Sequence, residues 1–443
     1  MYFPEQIYAR EPSIQRKRAE QGRILVIEDS RSLSSIMRHK LETDFSCQVT
    51  QCANADVFRQ VMQSGQTFDV AVVDLNLPGA SDGEILDAVI AEHIPAVVFT
   101  ADFNRDLRER LLQKGVADYH VKNHENAIDL VLSSVVRLLG NRDVGVLVVD
   151  DVPSARTMLA DLLRVQKFQV YEASTGFQAM EILTRQPHIE LVITDYHMPD
   201  MDGYELTRRI RREHDSDRLR IIGISSSADR LLSASFLKAG ANDFVYRPYV
   251  IEELQCRIQH NIETLAQLQQ LRVAAFSDYL TGLPNRRYFF DAGPAQVAGR
   301  LERGEPCCIA MLDIDHFKKL NDTYGHEIGD RVLQAVGSKL ARQLAGSGHL
   351  LARLGGEEFS VLMLGLDVKQ GSALCEMLRS EIESLRVALD DQDLNVTISI
   401  GLAEIAGRES FSNYLAAADQ LLYMAKSYGR NRVYSETMLS DPD

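Results

Sequence analysis

"FDVAVVDLNLPGASDG" at residues 68–83 and "IELVITDYHMPDMDG" at residues 189–203 share one layout: an apolar run, one aspartate at its end, then a loop bearing Pro and Gly. The match extends outward from both. Upstream stand "RILVIEDSRS" (23–32) and "VGVLVVDDVPS" (144–154). Downstream stand "IPAVVFTAD" (94–102) and "LRIIGISSSAD" (219–229), then "ADYHVKN" (117–123) and "NDFVYRPY" (242–249). Segments with helical spacing, such as "SLSSIMRHKLE" (32–42) and "SARTMLADLLRV" (154–165), lie between them. Short continuous apolar runs read as strands buried on both faces. Their alternation with helices predicts two α/β domains, each a doubly wound parallel sheet.

Ligands of such sheets gather at the carboxyl ends of the strands. Both copies place acids there: Glu28 and Asp29 after the first strand with Asp74 after the third, and likewise Asp150, Asp151 and Asp195. Three converging carboxylates repel one another unless a hard cation sits among them, and oxygen-only ligation suits Mg²⁺. A hydroxyl after the fourth strand (Thr100; Ser225) and a cation after the fifth (Lys122; Arg247) complete each set. With Mg²⁺ they can hold the oxygens of a phosphoryl group on Asp74 or Asp195.

Both segments resemble the receiver domains of bacterial two-component response regulators. The resemblance implies flavodoxin-like (βα)5 folds with Asp74 and Asp195 as phosphoacceptors. It also implies one Mg²⁺ per receiver, on Glu28, Asp29 and Asp74 or on Asp150, Asp151 and Asp195, with the carbonyls of Asn76 and His197 completing the shells. Thr100 with Tyr119, and Ser225 with Phe244, become the switch pairs, beside Lys122 and Arg247. Glu28 replaces the family's usual aspartate, and Asn123 its usual proline. Arg247 replaces the lysine itself, exchanging a compact ammonium for a planar fork. A dimerisation adaptor is the alternative role of either copy, and of the second above all.

Beyond "RPY", the stretch 250–280 has no Gly or Pro, and Leu254, Ile258, Ile262, Leu265, Leu268 and Leu271 recur at three- and four-residue steps. This predicts one long amphipathic helix, whose stripe either covers its own domain's core or forms a short stalk between protomers.

From Ser277 the strands and helices alternate without the parallel pattern, which suggests an α+β layered domain. In "GSGHLLARLGGEEFSVLML" (346–364), "LLARL" and "FSVLML" pair as an antiparallel hairpin, with Gly355 and Gly356 giving the tip its freedom. "MLDIDHF" (311–317) is an apolar strand ending in Asp313 and Asp315. Placed beside the hairpin, it brings Asp313 to Glu357, as a two-metal phosphoryl-transfer site requires. Lys318 follows at a helix start, where phosphate is favoured. Lys426 and Arg430, read as one helical turn apart, can face the same anion. Asn321 and Asp330 offer the amide and carboxylate that read a guanine edge.

These residues resemble the GGDEF domain of diguanylate cyclases, in its GGEEF form. The resemblance implies two Mg²⁺ held by Asp313, the Ile314 carbonyl and Glu357. Asn321 and Asp330 recognise guanine, His326, Gly355 and Gly356 line the pocket, and Lys318, Lys426 and Arg430 neutralise phosphate. Glu358 is the candidate base, with Glu357 as the competing choice. Two GTP molecules become cyclic di-GMP with release of two pyrophosphates, and the chemistry needs two domains facing each other, hence a homodimer. Many members bind product through an Arg-x-x-Asp motif before the glycines. Here that place reads Gly346-Ser347-Gly348-His349, which predicts no product inhibition there.

The expected order is an arm (1–22), receivers (23–140 and 143–262), a helical connector (263–276), a cyclase domain (277–437) and a tail (438–443). This order resembles that of PleD-type response regulators, which implies activation by a histidine kinase or a phosphotransfer protein. An inactive adaptor or phosphorelay protein is the alternative. The 443 residues suit about three domains. A formal charge of −15 argues against nucleic acid as a partner. The sequence has no apolar run of the ~20 residues that span a bilayer, so membrane insertion is not expected. The opening residues lack a signal-peptide core, and the six cysteines lack metal-type spacing, which points to the cytoplasm.

Overall fold

The computed structural model describes residues 22–80, 83–101, 104–123, 126–226, 230–388, 393–407 and 409–439. The arm, apart from Gly22, and residues 440–443 of the expected tail lie outside them. The chain divides into two compact units, with the division at Gln269 and Gln270.

Along the first copy of the repeat run β1 (Arg23–Ile27), α1 (Arg31–Phe45), β2 (Gln48–Cys52), α2 (Ala55–Gln63), β3 (Val70–Val73), α3 (Glu84–Ala91), β4 (Ala96–Thr100), α4 (Arg105–Gln113), β5 (Asp118–Val121) and α5 (Ala127–Gly140). The second copy repeats the series: β6 (Gly145–Val149), α6 (Pro153–Val165), β7 (Gln169–Ala173), α7 (Gly176–Arg185), β8 (Ile189–Asp195), α8 (Gly203–Glu213), β9 (Arg220–Ser225), α9 (Arg230–Ala239), β10 (Asp243–Tyr246) and α10 (Ile251–Phe276). Each sheet is parallel throughout, ordered β2-β1-β3-β4-β5 and β7-β6-β8-β9-β10. The continuous apolar runs are explained by burial on both faces. Ile24, Val26, Val70 and Val72 pack into one layer, and Leu25, Ile27, Ala71 and Val73 into the other. The switch in strand order beside β1 and β3 opens a crevice at their carboxyl ends.

The two copies share one unit and meet through a buried polar seam. Gln166 is 3% exposed, yet its amide is fully engaged: Nε2 donates to the Ala117 carbonyl (2.6 Å) and Oε1 accepts from Arg137 (2.6 Å). Its own carbonyl accepts from Asn141 (2.9 Å). Arg137 also donates to Asp118 at the start of β5 (2.6 Å). Burial opposes ionisation of Asp118, but His120, Arg137 and Ser134 outweigh it and hold the carboxyl at about 2. Leu254, Ile258 and Ile262 of α10 enter the second copy's core. The early part of the stripe therefore covers its own domain, while Leu271 stands exposed.

The second unit carries α11 (Arg286–Leu301), β11 (Cys307–Ile314), α12 (Phe317–Tyr324), α13 (His326–Leu344), β12 (Leu350–Gly355), β13 (Glu358–Leu364), α14 (Val368–Glu383), the short pair β14 (Val387–Ala388) and β15 (Asp393–Leu394), β16 (Ile398–Glu404), α15 (Phe411–Ser427) and β17 (Val433–Ser435). Its main sheet is mixed, ordered β12-β13-β11-β16-β17, with only the β16 and β17 pair parallel. β11 is buried along its whole length. Cys308, Ala310, Leu312 and Ile314 pack with residues of α13 and α14, and Cys307, Ile309 and Met311 with residues of α11 and α15. Two helical layers thus enclose the strand, so a charge at its end stands out. Among the described residues no helix is long and apolar enough to cross a membrane.

Candidate active site and phosphoacceptor sites

β11 and β13 run antiparallel with Asp313 directly opposite Glu358, and Ser399 faces Asp313 from β16. Directly opposed residues share a sheet face, so Asp313 meets Glu358 at one edge, whereas the sequence reading pairs it with Glu357, one residue earlier in the turn. Between β12 and β13 the chain turns through Gly356 and Glu357. Gly355 (φ 147°) and Gly356 (φ 52°) both have positive φ, a region that residues with a Cβ rarely adopt. The turn is braced from beneath by Arg353, 9% exposed, which donates twice to the Gly356 carbonyl (3.0 and 2.7 Å) and pairs with Asp278 (2.8 Å). The acidic tip is therefore held in place rather than loose.

Asp313 is 5% exposed, and its carboxyl is pushed up to about 6. Burial is the main cause and the Glu357 and Glu358 charges add to it, while Lys426, 2.7 Å away, works against it. Lys426 pairs with Asp313 alone, while Glu357 and Glu358 stand near enough for their charges to act on it; oxygen donors of this kind suit a divalent cation. Lys426 sits beside them on α15, but Arg430 does not share that helix, contrary to the reading from its spacing. α15 ends at Ser427, because Gly429 (φ 117°) turns the chain aside and the Arg430 N–H closes on the Ala425 carbonyl (3.1 Å). Arg430 (φ 63°) then follows in a left-handed turn, exposed. Lys318 is exposed in the first turn of α12. Asn321 lies half-buried near the end of α12, while His326 and Asp330 are exposed along α13.

In the first copy, one carboxylate oxygen each from Glu28, Asp29 and Asp74 lie within 4.8 Å of one another. Lys122 pairs with Glu28 (2.8 Å) and Asp74 (2.7 Å). Burial works against the lysine's charge, but these two carboxylates more than offset it and raise its pKa. Thr100 is buried at the end of β4. The Tyr119 hydroxyl donates to Glu252 in the first turn of α10 (3.3 Å), which also pairs with Arg108 (2.6 Å). β5 thus begins at the seam with Asp118, reaches α10 through Tyr119, and leads directly to Lys122 at the acids.

The second copy differs. The Arg247 fork spans Asp195 (2.9 Å) and Asp150 (2.6 Å), while their other oxygens accept from the backbone N–H groups of His197 (2.8 Å) and Val152 (2.9 Å). Asp151 stays exposed, and among the described residues the only group of three metal-competent acids is that of the first copy. Ser225 is buried, and Phe244 packs between Phe236 and Tyr246.

Comparison with known proteins agrees with this layout. Residues 24–131 and 146–259 match the response regulator receiver domain, and residues 275–432 match the diguanylate cyclase GGDEF domain. The chain is a response regulator with a GGDEF domain. It is 29% identical over 457 residues to the response regulator PleD of Caulobacter vibrioides, covering 93% of this chain and 98% of that one. Over 38% of its length it is 38% identical to the diguanylate cyclase DgcP of Pseudomonas aeruginosa, spanning 25% of that protein. A solved response regulator/GGDEF domain protein superposes with a TM-score of 0.51 at 38% identity, covering 55% of this chain and 99% of that one.

Two parts of this response regulator's site escape a reading by motif. Arg353 is the one charge inside "LLARL", and that oddity was the signal. Gly329 sits inside α13, where glycine disfavours a helix. A Cβ there would lie 1.9 Å from Asn321 Oδ1, a buried oxygen with no hydrogen-bond partner among the described residues.

Proposed function

We propose that this response regulator is a phosphorylation-controlled diguanylate cyclase, working as a homodimer on GTP. The observation that carries the reading is the strand end where buried Asp313 lies opposite Glu358 and pairs with Lys426, beside a braced hairpin whose tip bears Glu357. Asn321 and Asp330 hold the guanine edge of GTP, with His326 beside them. Lys318, Lys426 and Arg430 hold the phosphates. Glu358 takes the proton from the 3′-hydroxyl, with Glu357 as the competing base. The 3′-oxygen bonds to the α-phosphorus of the GTP on the facing domain, the bond to the bridging oxygen breaks, and pyrophosphate leaves. The same step in the other direction closes the ring. Asp313, the Ile314 carbonyl and Glu357 would hold two Mg²⁺, which would supply charge stabilisation at the transferring phosphoryl group.

Asp74 is the phosphoacceptor, beside one Mg²⁺ on Glu28, Asp29 and Asp74. Phosphorylation by a histidine kinase or phosphotransfer protein shifts the receivers toward a dimer that brings two loaded cyclase domains together. The bidentate clamp of Arg247 on Asp150 and Asp195 favours an adaptor role for the second receiver. The test is incubation of the full chain with GTP and Mg²⁺, with and without beryllofluoride, followed for pyrophosphate and cyclic di-GMP. Both products should form, and faster with beryllofluoride. Their absence under both conditions would return the chain to an adaptor or relay role.

His349, in the place of the product-binding motif, is half-buried, and its Nδ1 accepts the Leu364 N–H (3.2 Å). Burial and nearby Arg300 hold its pKa below the usual histidine value. A neutral ring committed to the hairpin offers an anion little. Cyclic di-GMP added in large excess should leave the initial rate unchanged, and strong inhibition relieved by His349→Ala would contradict this.

Gly329→Ala is expected to separate folding from substrate binding. The new methyl displaces the Asn321 amide, a movable side-chain end, while alanine favours the helix by about 1 kcal/mol. The melting temperature should hold or rise, and KM for GTP should rise about tenfold through the lost guanine contact. An unchanged KM would mean that Asn321 does not read the base.

A further inference from the structure

Asp315 lies two residues beyond Asp313, is 7% exposed, and has no place in the chemistry above. Its carboxylate is nonetheless fully occupied. Oδ1 accepts from the Ser399 hydroxyl (2.6 Å), and Oδ2 from the Thr397 hydroxyl (2.7 Å) and the backbone N–H of Asn431 (3.0 Å). Its own N–H donates to the Thr397 carbonyl (2.9 Å). All three donors to the carboxylate are neutral. A buried acid held only by neutral donors is costly to keep unless each bond is made, so its partners show what it is for. Two belong to the start of β16 and the residue before it, and the third to the turn that carries Arg430.

That turn is unfavourable by itself. Arg430 (φ 63°) and Asn431 (φ 46°) are successive residues with side chains in the left-handed region, and such conformations persist only where their surroundings over-determine them. Here the surroundings do. The Arg430 N–H is held by the Ala425 carbonyl (3.1 Å), and its own carbonyl accepts from Arg432 Nε (3.1 Å). The Asn431 side chain is gripped by Arg379 (2.8 Å) and Glu383 (2.8 Å), and its N–H by Asp315. The backbone is fixed on both sides of Arg430 while the residue itself is exposed. Asp313 pairs with Lys426 and Asp315 holds the next turn, so two acids two residues apart at the end of β11 fix the last turn of α15 and the Arg430 turn that follows it.

We propose that Asp315 is a positioning residue: its carboxylate holds the Arg430–Asn431 turn in its strained form so that Arg430 meets the phosphates of GTP already aligned. The inference rests on the reading of Arg430 as a phosphate ligand. Fixing the turn before substrate arrives removes an ordering cost from binding, so the effect falls on KM more than on kcat.

The test is a double-mutant cycle in the full chain, with KM for GTP and kcat measured separately and folding checked by thermal melting. Arg430→Ala is expected to raise KM about tenfold. Asp315→Ala should raise it several-fold with kcat little changed. The double variant should match Arg430→Ala, because residues acting through one contact are not additive. Asp315→Asn can still accept the Asn431 N–H and should recover most of the loss, whereas a metal ligand would not tolerate that change. Should Asp315→Ala fail to fold, Thr397→Val removes one donor to the same carboxylate and should raise KM in the same direction. Multiplicative effects in the double variant, or an asparagine variant as impaired as alanine, would overturn the positioning role alone. No effect of Arg430→Ala on KM would remove the phosphate assignment and the inference with it.

Discussion

Glu357→Gln should reduce cyclic di-GMP formation about a thousandfold, the scale expected when a preorganised charge at a reacting phosphate is removed. Glutamine keeps the size of the side chain but gives up the charge that draws a cation to the edge. The turn should survive, because it is fixed by Arg353 through the Gly356 carbonyl and not by the glutamate itself. GTP binding through Asn321, Lys318 and Arg430 should persist in part, so the loss should appear mainly in turnover. The measurement is pyrophosphate release by wild type and variant at saturating GTP, over a Mg²⁺ series. A variant turning over near the wild-type rate would remove Glu357 from the metal site and leave Glu358, opposite Asp313, as the ligand.

The second large effect concerns control. Asp74→Asn should abolish the acceleration by beryllofluoride while leaving the unstimulated rate in place. Asp195→Asn should leave the acceleration intact. The difference follows from how the two crevices are filled. Lys122 is a single ammonium beside a three-acid group that can still take a cation. Arg247 binds Asp150 and Asp195 of the second crevice with a fork whose planar geometry matches them. Oligomeric state measured alongside rate should change with Asp74 and not with Asp195. Acceleration that survives in Asp74→Asn and is lost in Asp195→Asn would reverse the roles of the two receivers.

Much of this could be read in the sequence because the physics is local there. A strand buried on both faces must be apolar along its length, so an acid closing such a run is conspicuous, as at Asp74, Asp195 and Asp313. The hairpin was legible for the same reason, with two glycines between alternating runs. What was not legible depends on partners far apart in the chain. Asp315 receives its hydrogen bonds from Thr397, Ser399 and Asn431, and no spacing rule connects these residues. Arg430 was misplaced because a three- or four-residue step looks helical until Gly429 turns the chain. The role of Gly329 is a matter of empty space, visible only once Asn321 lies against it. Arg247 could be identified as a departure, but its simultaneous hold on Asp150 and Asp195 needed the fold.

β5 is only four residues long. Asp118 at its start binds the arginine of the inter-receiver seam, Tyr119 reaches Glu252, and Lys122 follows immediately at the acids. One residue inserted or deleted there would turn the side chains on one side of the change to the opposite face of the sheet. Whichever side moves, at least one of the crevice, the seam and the contact with α10 would lose the residue that makes it. Loops on either side can lengthen at small cost. Descendants of this chain are therefore free to vary nearly everywhere around β5, but can change β5 itself only by substitution.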